Sequence, residues 1–141
     1  MRATRFQHTL SRPCQVTGRG YWSSQPITLT FFPADANTGI QFVRTDLPDC
    51  PRVEAVADYR VDMALRTRLA KGSAVVDMVE HVLAALYGLK IDNVEIHCTS
   101  CEMPGLDGSS HGYTLALEAA GRTRRVWSGL MAVGLWALLS L

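Results

Sequence analysis

Glu80 and His81 stand side by side in the stretch DMVEHVLAALYGLKIDNVEI, residues 77 to 96. A carboxylate next to an imidazole suits a general base beside a metal ligand, or a proton relay. It equally suits two solvated side chains. Adjacent side chains leave a helix about 100° apart, so the pair cannot lie on one line, but both can border a common cavity at the helix start. Asp77 with Glu80 three residues on also matches a capping box, in which Glu80 would serve the helix terminus. The residues alone leave both readings open. His81 lies off the Val79/Val82/Leu83/Leu86 stripe and shares its face with Ala84, Ala85 and Gly88. Small residues beside a histidine let a metal, a ligand or another backbone come close.

Other chemical candidates are weaker. Cys98-Thr-Ser-Cys101 is a lone C-x-x-C at a predicted strand end. Redox pairs favour a helix N-terminus, and a structural zinc wants four ligands, for which only His97 and His111 are near in sequence. Cys98 therefore reads as core and Cys101 as loop. Asp107, Ser109, Ser110 and His111 are too close together in sequence to form a relay, whose members need separate positions in space, so they read as a turn and helix cap. TGRGYW lacks the pattern of a phosphate-binding loop.

The elements that must position Glu80 and His81 follow from periodicity. QHTLSRPCQVTGRG reads as a strand entering a turn at Gly18 and Gly20. PITLTFFP alternates Ile27, Leu29 and Phe31 with Thr28, Thr30 and Phe32, a second strand. ADANTG is a turn with Asn37 and Gly39 suited to positive φ, and IQFVRTD is expected to pair back as a hairpin. Short strands flank a turn at Lys71-Gly72. A helix opens near Asp77 and ends near Gly88. Val94, Ile96 and Cys98 face inward in the next strand, against Glu95, His97 and Thr99. Ser109 or Ser110 caps a last helix closed by Gly121. The order predicts an α+β fold, one sheet with helices packed on one face.

The chain has 141 residues, enough for one domain with its own core, and a formal net charge of +1, so no strong field draws it to nucleic acid or acidic membranes. MRATRFQHTL has no apolar central run, which predicts a reducing cytosol and free thiols at Cys14, Cys50, Cys98 and Cys101. The tail, residues 126 to 141, is apolar, uncharged and preceded by Arg122, Arg124 and Arg125. It is short for a membrane span of about 20 residues. A marginal anchor, a buried helix and a segment foreign to the domain are all compatible with it.

TGRGYWSSQPITLTFFPADANTGIQFVRTD, VEHVLAALYGLKIDNVEI and MPGLDGSSHGY together resemble the UDP-3-O-acyl-N-acetylglucosamine deacetylase family, from Gln7 to Gly121. The resemblance implies a Zn2+-dependent amidase that removes acetate from UDP-3-O-acyl-N-acetylglucosamine in lipid A biosynthesis, in the cytoplasm of Gram-negative bacteria. It makes Glu80 the general base and His81 a zinc ligand. It also implies the first of two similar α+β domains, residues 1–121, followed by a tail, 122–141, without resemblance, as a truncation or frame change would leave. The family's other zinc ligands lie in its second domain, so the expectation is an incomplete enzyme that needs a missing half. A non-catalytic module touching a membrane through its tail is the alternative. Two departures stand out: Tyr21-Trp22 where the family has Leu-His, and Met78 where threonine is common.

Overall fold

The computed structural model describes residues 5–125. Ten strands and two α-helices follow the chain as β1 (Gln7–Leu10), β2 (Cys14–Arg19), β3 (Pro26–Pro33), β4 (Ile40–Arg44), β5 (Arg52–Glu54), a 3-10 turn (Ala57–Tyr59), β6 (Arg60–Val61), β7 (Arg68–Lys71), β8 (Ala74–Asp77), α1 (Glu80–Gly88), β9 (Val94–Cys98), α2 (His111–Ala120) and β10 (Arg122–Arg125). The predicted α+β class is found. Where one sheet is expected, the strands divide into a five-stranded sheet ordered β2-β3-β9-β4-β5, a three-stranded sheet β6-β7-β8 and the pair β1-β10.

The five-stranded sheet obeys its period-2 pattern. Ile27, Leu29 and Phe31 of β3 and Val94, Ile96 and Cys98 of β9 are buried. Their alternates, Thr28, Thr30, Glu95 and His97, are half-buried on the other face. Register places Cys14, Phe31, Ile96, Phe42 and Val53 in one row across all five strands. Val82, Ala85 and Leu86 of α1 and Tyr113, Leu117 and Ala120 of α2 join these residues in a single core cluster. Asn37 and Gly39 take the positive φ that the ADANTG turn predicts, at 67° and 72°.

Three local expectations are corrected. QHTLSRPCQV is two strands rather than one: the chain breaks between Leu10 and Cys14, and β1 pairs with β10 instead of continuing into the sheet. Proline at position 13 cannot donate to a ladder, which accounts for the break. β3 and β4 do not form a hairpin, because β9 lies between them, antiparallel to β3 and parallel to β4. Nor does Asp77 cap a helix. It is the last residue of β8, 7% exposed, with Arg68 donating to both its oxygens at 2.6 and 2.7 Å.

Candidate functional site

The end of β8 is fastened from both sides before the chain turns into α1. The Asp77 N–H donates to the Cys101 carbonyl at 2.8 Å, and the Asp77 carbonyl accepts the Met103 N–H at 3.0 Å. The Met78 N–H donates to the Thr67 carbonyl at 3.0 Å. Met78 itself has a φ of 63°, a left-handed conformation that costs a non-glycine residue on the order of 1 kcal/mol. Such strain persists where surrounding bonds over-determine it, and it clusters at functional sites. Here it reverses the chain so that α1 starts two residues later with Glu80 and His81.

Both side chains are half-buried and border one cavity of about 350 Å³. Met78 and Leu65 line it beside them, with Tyr21 and Trp22 from the turn after β2, and Gly105 and Gly108 from the loop before α2. Glu80 Oε2 accepts the Thr67 N–H at 3.2 Å, so the carboxylate helps hold the β6–β7 connection while facing the cavity. Glu80 also borders a second hollow, with Ile40, Leu83 and Ala84. Of the small strip expected beside His81, Ala84 and Gly88 are exposed, whereas Ala85 is buried in the core.

The cavity rim is apolar and aromatic. Tyr21, Trp22 and Leu65 are exposed. The Tyr21 and Trp22 rings meet edge to face, with centroids 5.2 Å apart, and the Arg66 guanidinium lies over Trp22 at 5.3 Å. Tyr21 and Trp22 enter the sequence reading only as departures from a family pattern. Their place in the cavity depends on contacts with residues some 80 positions away, which periodicity does not report.

The weaker candidates resolve as structure. Cys98 is fully buried, and burial pushes its thiol up to about 12, so it stays protonated in the core. Burial raises the Cys101 thiol as well. All four cysteines are free thiols. Asp107 Oδ1 accepts both the N–H and the hydroxyl of Ser109, whose oxygen in turn accepts the His111 N–H at 3.1 Å; this is a turn and cap, with Ser109 rather than Ser110 supplying the side chain. His97 faces away from the core and meets Glu95 at 2.7 Å.

A metal fits this arrangement only in part. Among the described residues no group of three histidine, cysteine, aspartate or glutamate side chains is placed to hold one ion. His81 is a competent donor, but a catalytic zinc takes three protein ligands. Nor is any helix among the described residues long and apolar enough to cross a membrane, while the candidate anchor, residues 126 to 141, lies outside those residues.

Comparison with known proteins bears on the whole stretch. The chain is 47% identical over 115 residues to a bifunctional LpxC/FabZ enzyme of Chlorobaculum tepidum, covering 82% of this chain and 25% of the relative. It is 43% identical over 114 residues to a UDP-3-O-acyl-N-acetylglucosamine deacetylase of a Psychrobacter species, covering 80% of this chain and 38% of that enzyme. A deacetylase of the same name from Chromohalobacter salexigens is 40% identical over 115 residues. The chain thus spans between a quarter and two-fifths of the length of these relatives. The family model for LpxC, UDP-3-O-acyl N-acetylglycosamine deacetylase, matches residues 7–128, which includes β10 and both walls of the cavity. On that match, the chain belongs to the LpxC family of UDP-3-O-acyl N-acetylglycosamine deacetylases.

Proposed function

We propose that this chain supplies the Glu80/His81 wall of a deacetylase site that hydrolyses the acetamide of UDP-3-O-acyl-N-acetylglucosamine in cytoplasmic lipid A biosynthesis. The observation that carries the reading is that both residues border one cavity within the family-matched stretch. Glu80 takes a proton from the attacking water on its carboxylate and returns it to the departing amine. His81 would offer its imidazole as one ligand to Zn2+. Bound in a completed site, such an ion would supply Lewis acidity toward the acetamide carbonyl and the attacking water. On this reading His81 is one of the three protein ligands a catalytic zinc takes, and the other two come from groups outside the described residues, among which no three-ligand group is placed.

The test is complementation. The full chain is assayed for acetate release alone, and then mixed with the part of the Psychrobacter deacetylase that it does not match. The expected result is activity only in the mixture, lowered at least about 100-fold by Glu80→Gln or His81→Ala. Activity of the chain alone, or a mixture whose rate is indifferent to both substitutions, overturns the proposal.

A further inference from the structure

Glu102 does not line the cavity, yet it is one of the few charged side chains buried in the domain, at 6% exposure. Its Oε1 accepts the Trp22 N–H at 2.7 Å and its Oε2 the Ser23 N–H at 3.0 Å. Both donors belong to the turn after β2, which closes on itself through the Ser24 N–H to the Gly20 carbonyl and the Gly20 N–H to the Gln25 carbonyl, each at 3.0 Å. A Cβ built on Gly20 would stand 2.3 Å from Glu102 Oε2, so the absence of a side chain there makes room for the carboxylate. Glu102 is itself held, because its residue bridges to Asp77, Pro104 bridges to Gly20, and the Gly105 N–H donates to the Arg19 carbonyl at 2.9 Å. An ionised acceptor with two N–H donors makes stronger bonds than neutral pairs do, and a buried charge stripped of donors is costly.

We infer that Glu102 is a positioning residue for the proposed site: it clamps the turn so that Tyr21 and Trp22 form a fixed aromatic wall of the cavity shared by Glu80 and His81. Arg66 braces the same tryptophan from its other contact. The consequence for His81 rests on reading that cavity as the reactive site; the clamp itself does not.

The test uses the metal-free full chain, so its outcome is separate from that of the complementation assay. Amide exchange is followed residue by residue by NMR in wild type, Glu102→Gln and Glu102→Asp. In Glu102→Gln, exchange at Trp22 and Ser23 is expected to quicken about tenfold, the factor one lost hydrogen bond carries. Amides of β3 and β9 should stay within about twofold, since a local opening leaves the rest of the fold protected. Glu102→Asp, which keeps the charge, should recover part of the protection. The His81 ring signal should move the same way in Glu102→Gln and Trp22→Ala, and the double variant should move it no further than Trp22→Ala alone. Unchanged exchange at Trp22 and Ser23 would overturn the inference. So would a rise shared equally by β3 and β9, or additive shifts at His81, because each makes Glu102 a structural charge without a role at the wall.

Discussion

Across the five-stranded sheet, Phe31, Ile96, Phe42 and Val53 stand in one row, each from a strand whose own alternation turns it inward. The cavity beside α1 is assembled differently. Tyr21, Leu65, Met78 with Glu80, and Gly105 reach it from four separate segments, and none of those segments is regular where it touches the cavity except the first turn of α1. The row is held by area removed from water, which is non-directional and spreads over many contacts. The cavity wall is held by directed bonds to backbone groups: Thr67 to Glu80, Trp22 and Ser23 to Glu102, Asp77 to Cys101 and Met103. Loss of one contact in the row should therefore weaken the whole molecule. Loss of one bond at the wall should move one loop.

The sharpest test of that contrast is Phe42→Ala. Phe42 is fully buried in the row, between Ile96 and Val53, so truncation is expected to cost about 4 kcal/mol, read from the urea midpoint at unchanged slope. A cost under about 1.5 kcal/mol would mean that the row repacks easily and is not what secures the fold.

Second in size is Asp46→Asn, in the turn that follows β4 of the same sheet. Arg44 is 7% exposed and donates to Asp46 at 2.8 and 2.7 Å and to the Val75 carbonyl at 2.6 Å, tying β4 to β8. The Arg44 guanidinium holds the Asp46 carboxyl below its ordinary range. A depressed carboxylate contributes stability above its unfolded value and loses it as pH falls through the folded one. The substitution should cost about 2 kcal/mol at neutral pH, less than for a fully buried pair because Asp46 keeps some solvent. It should also remove part of the wild-type decline below about pH 4. A variant with an undiminished acid decline would assign that decline to other carboxylates.

The same contrast explains what the sequence could and could not tell. Faces were legible: Ile27/Leu29/Phe31 and Val94/Ile96/Cys98 are inward as their alternation requires. Neighbours were not. A strand's period reports which side is buried but not which strand lies alongside, so β9 between β3 and β4 could not be read from the short ADANTG turn. Asp77 illustrates a second limit. Asp-x-x-Glu before an apolar run satisfies the local rule for a cap, while Arg68, nine residues earlier, pairs with Asp77 across the β7–β8 hairpin and places it in a strand. As for the cavity, the Glu80/His81 pair was visible because its members adjoin. Its aromatic rim and the carboxylate behind that rim were not, because Glu102 meets Trp22 across a sequence separation of 80.

Third in size is Ser109→Ala, at the loop that brings Gly105 and Gly108 to the cavity. Ser109 accepts the His111 N–H at the start of α2, and losing such a cap costs about 1 kcal/mol. Its hydroxyl also donates to Asp107, and that bond holds the Asp107 carboxyl below its ordinary range. The cap is therefore complete above the ordinary carboxylate range and weakens as pH falls through the lowered value. Ser109→Ala should flatten that acid dependence for α2 amides in hydrogen exchange, leaving β9 amides unaffected. Equal changes in both elements would mean that α2 does not open separately from the sheet.

The smallest expected effect on stability belongs to Glu80→Gln, and its smallness is the point. Glutamine keeps an oxygen able to accept the Thr67 N–H at its present 3.2 Å. What is lost is a negative charge in the first turn of α1, worth about 0.5 kcal/mol against the helix dipole. If Glu80 served the fold as Asp46 does, its neutralisation would cost several times that amount. A cost near 0.5 kcal/mol together with loss of acetate release in the completed site would separate the two regions: one set of residues kept for packing, another held in place at little benefit to stability because it reacts. A cost above about 1.5 kcal/mol, with acetate release intact, would move Glu80 to the structural side and leave His81 alone in the cavity as the candidate for chemistry.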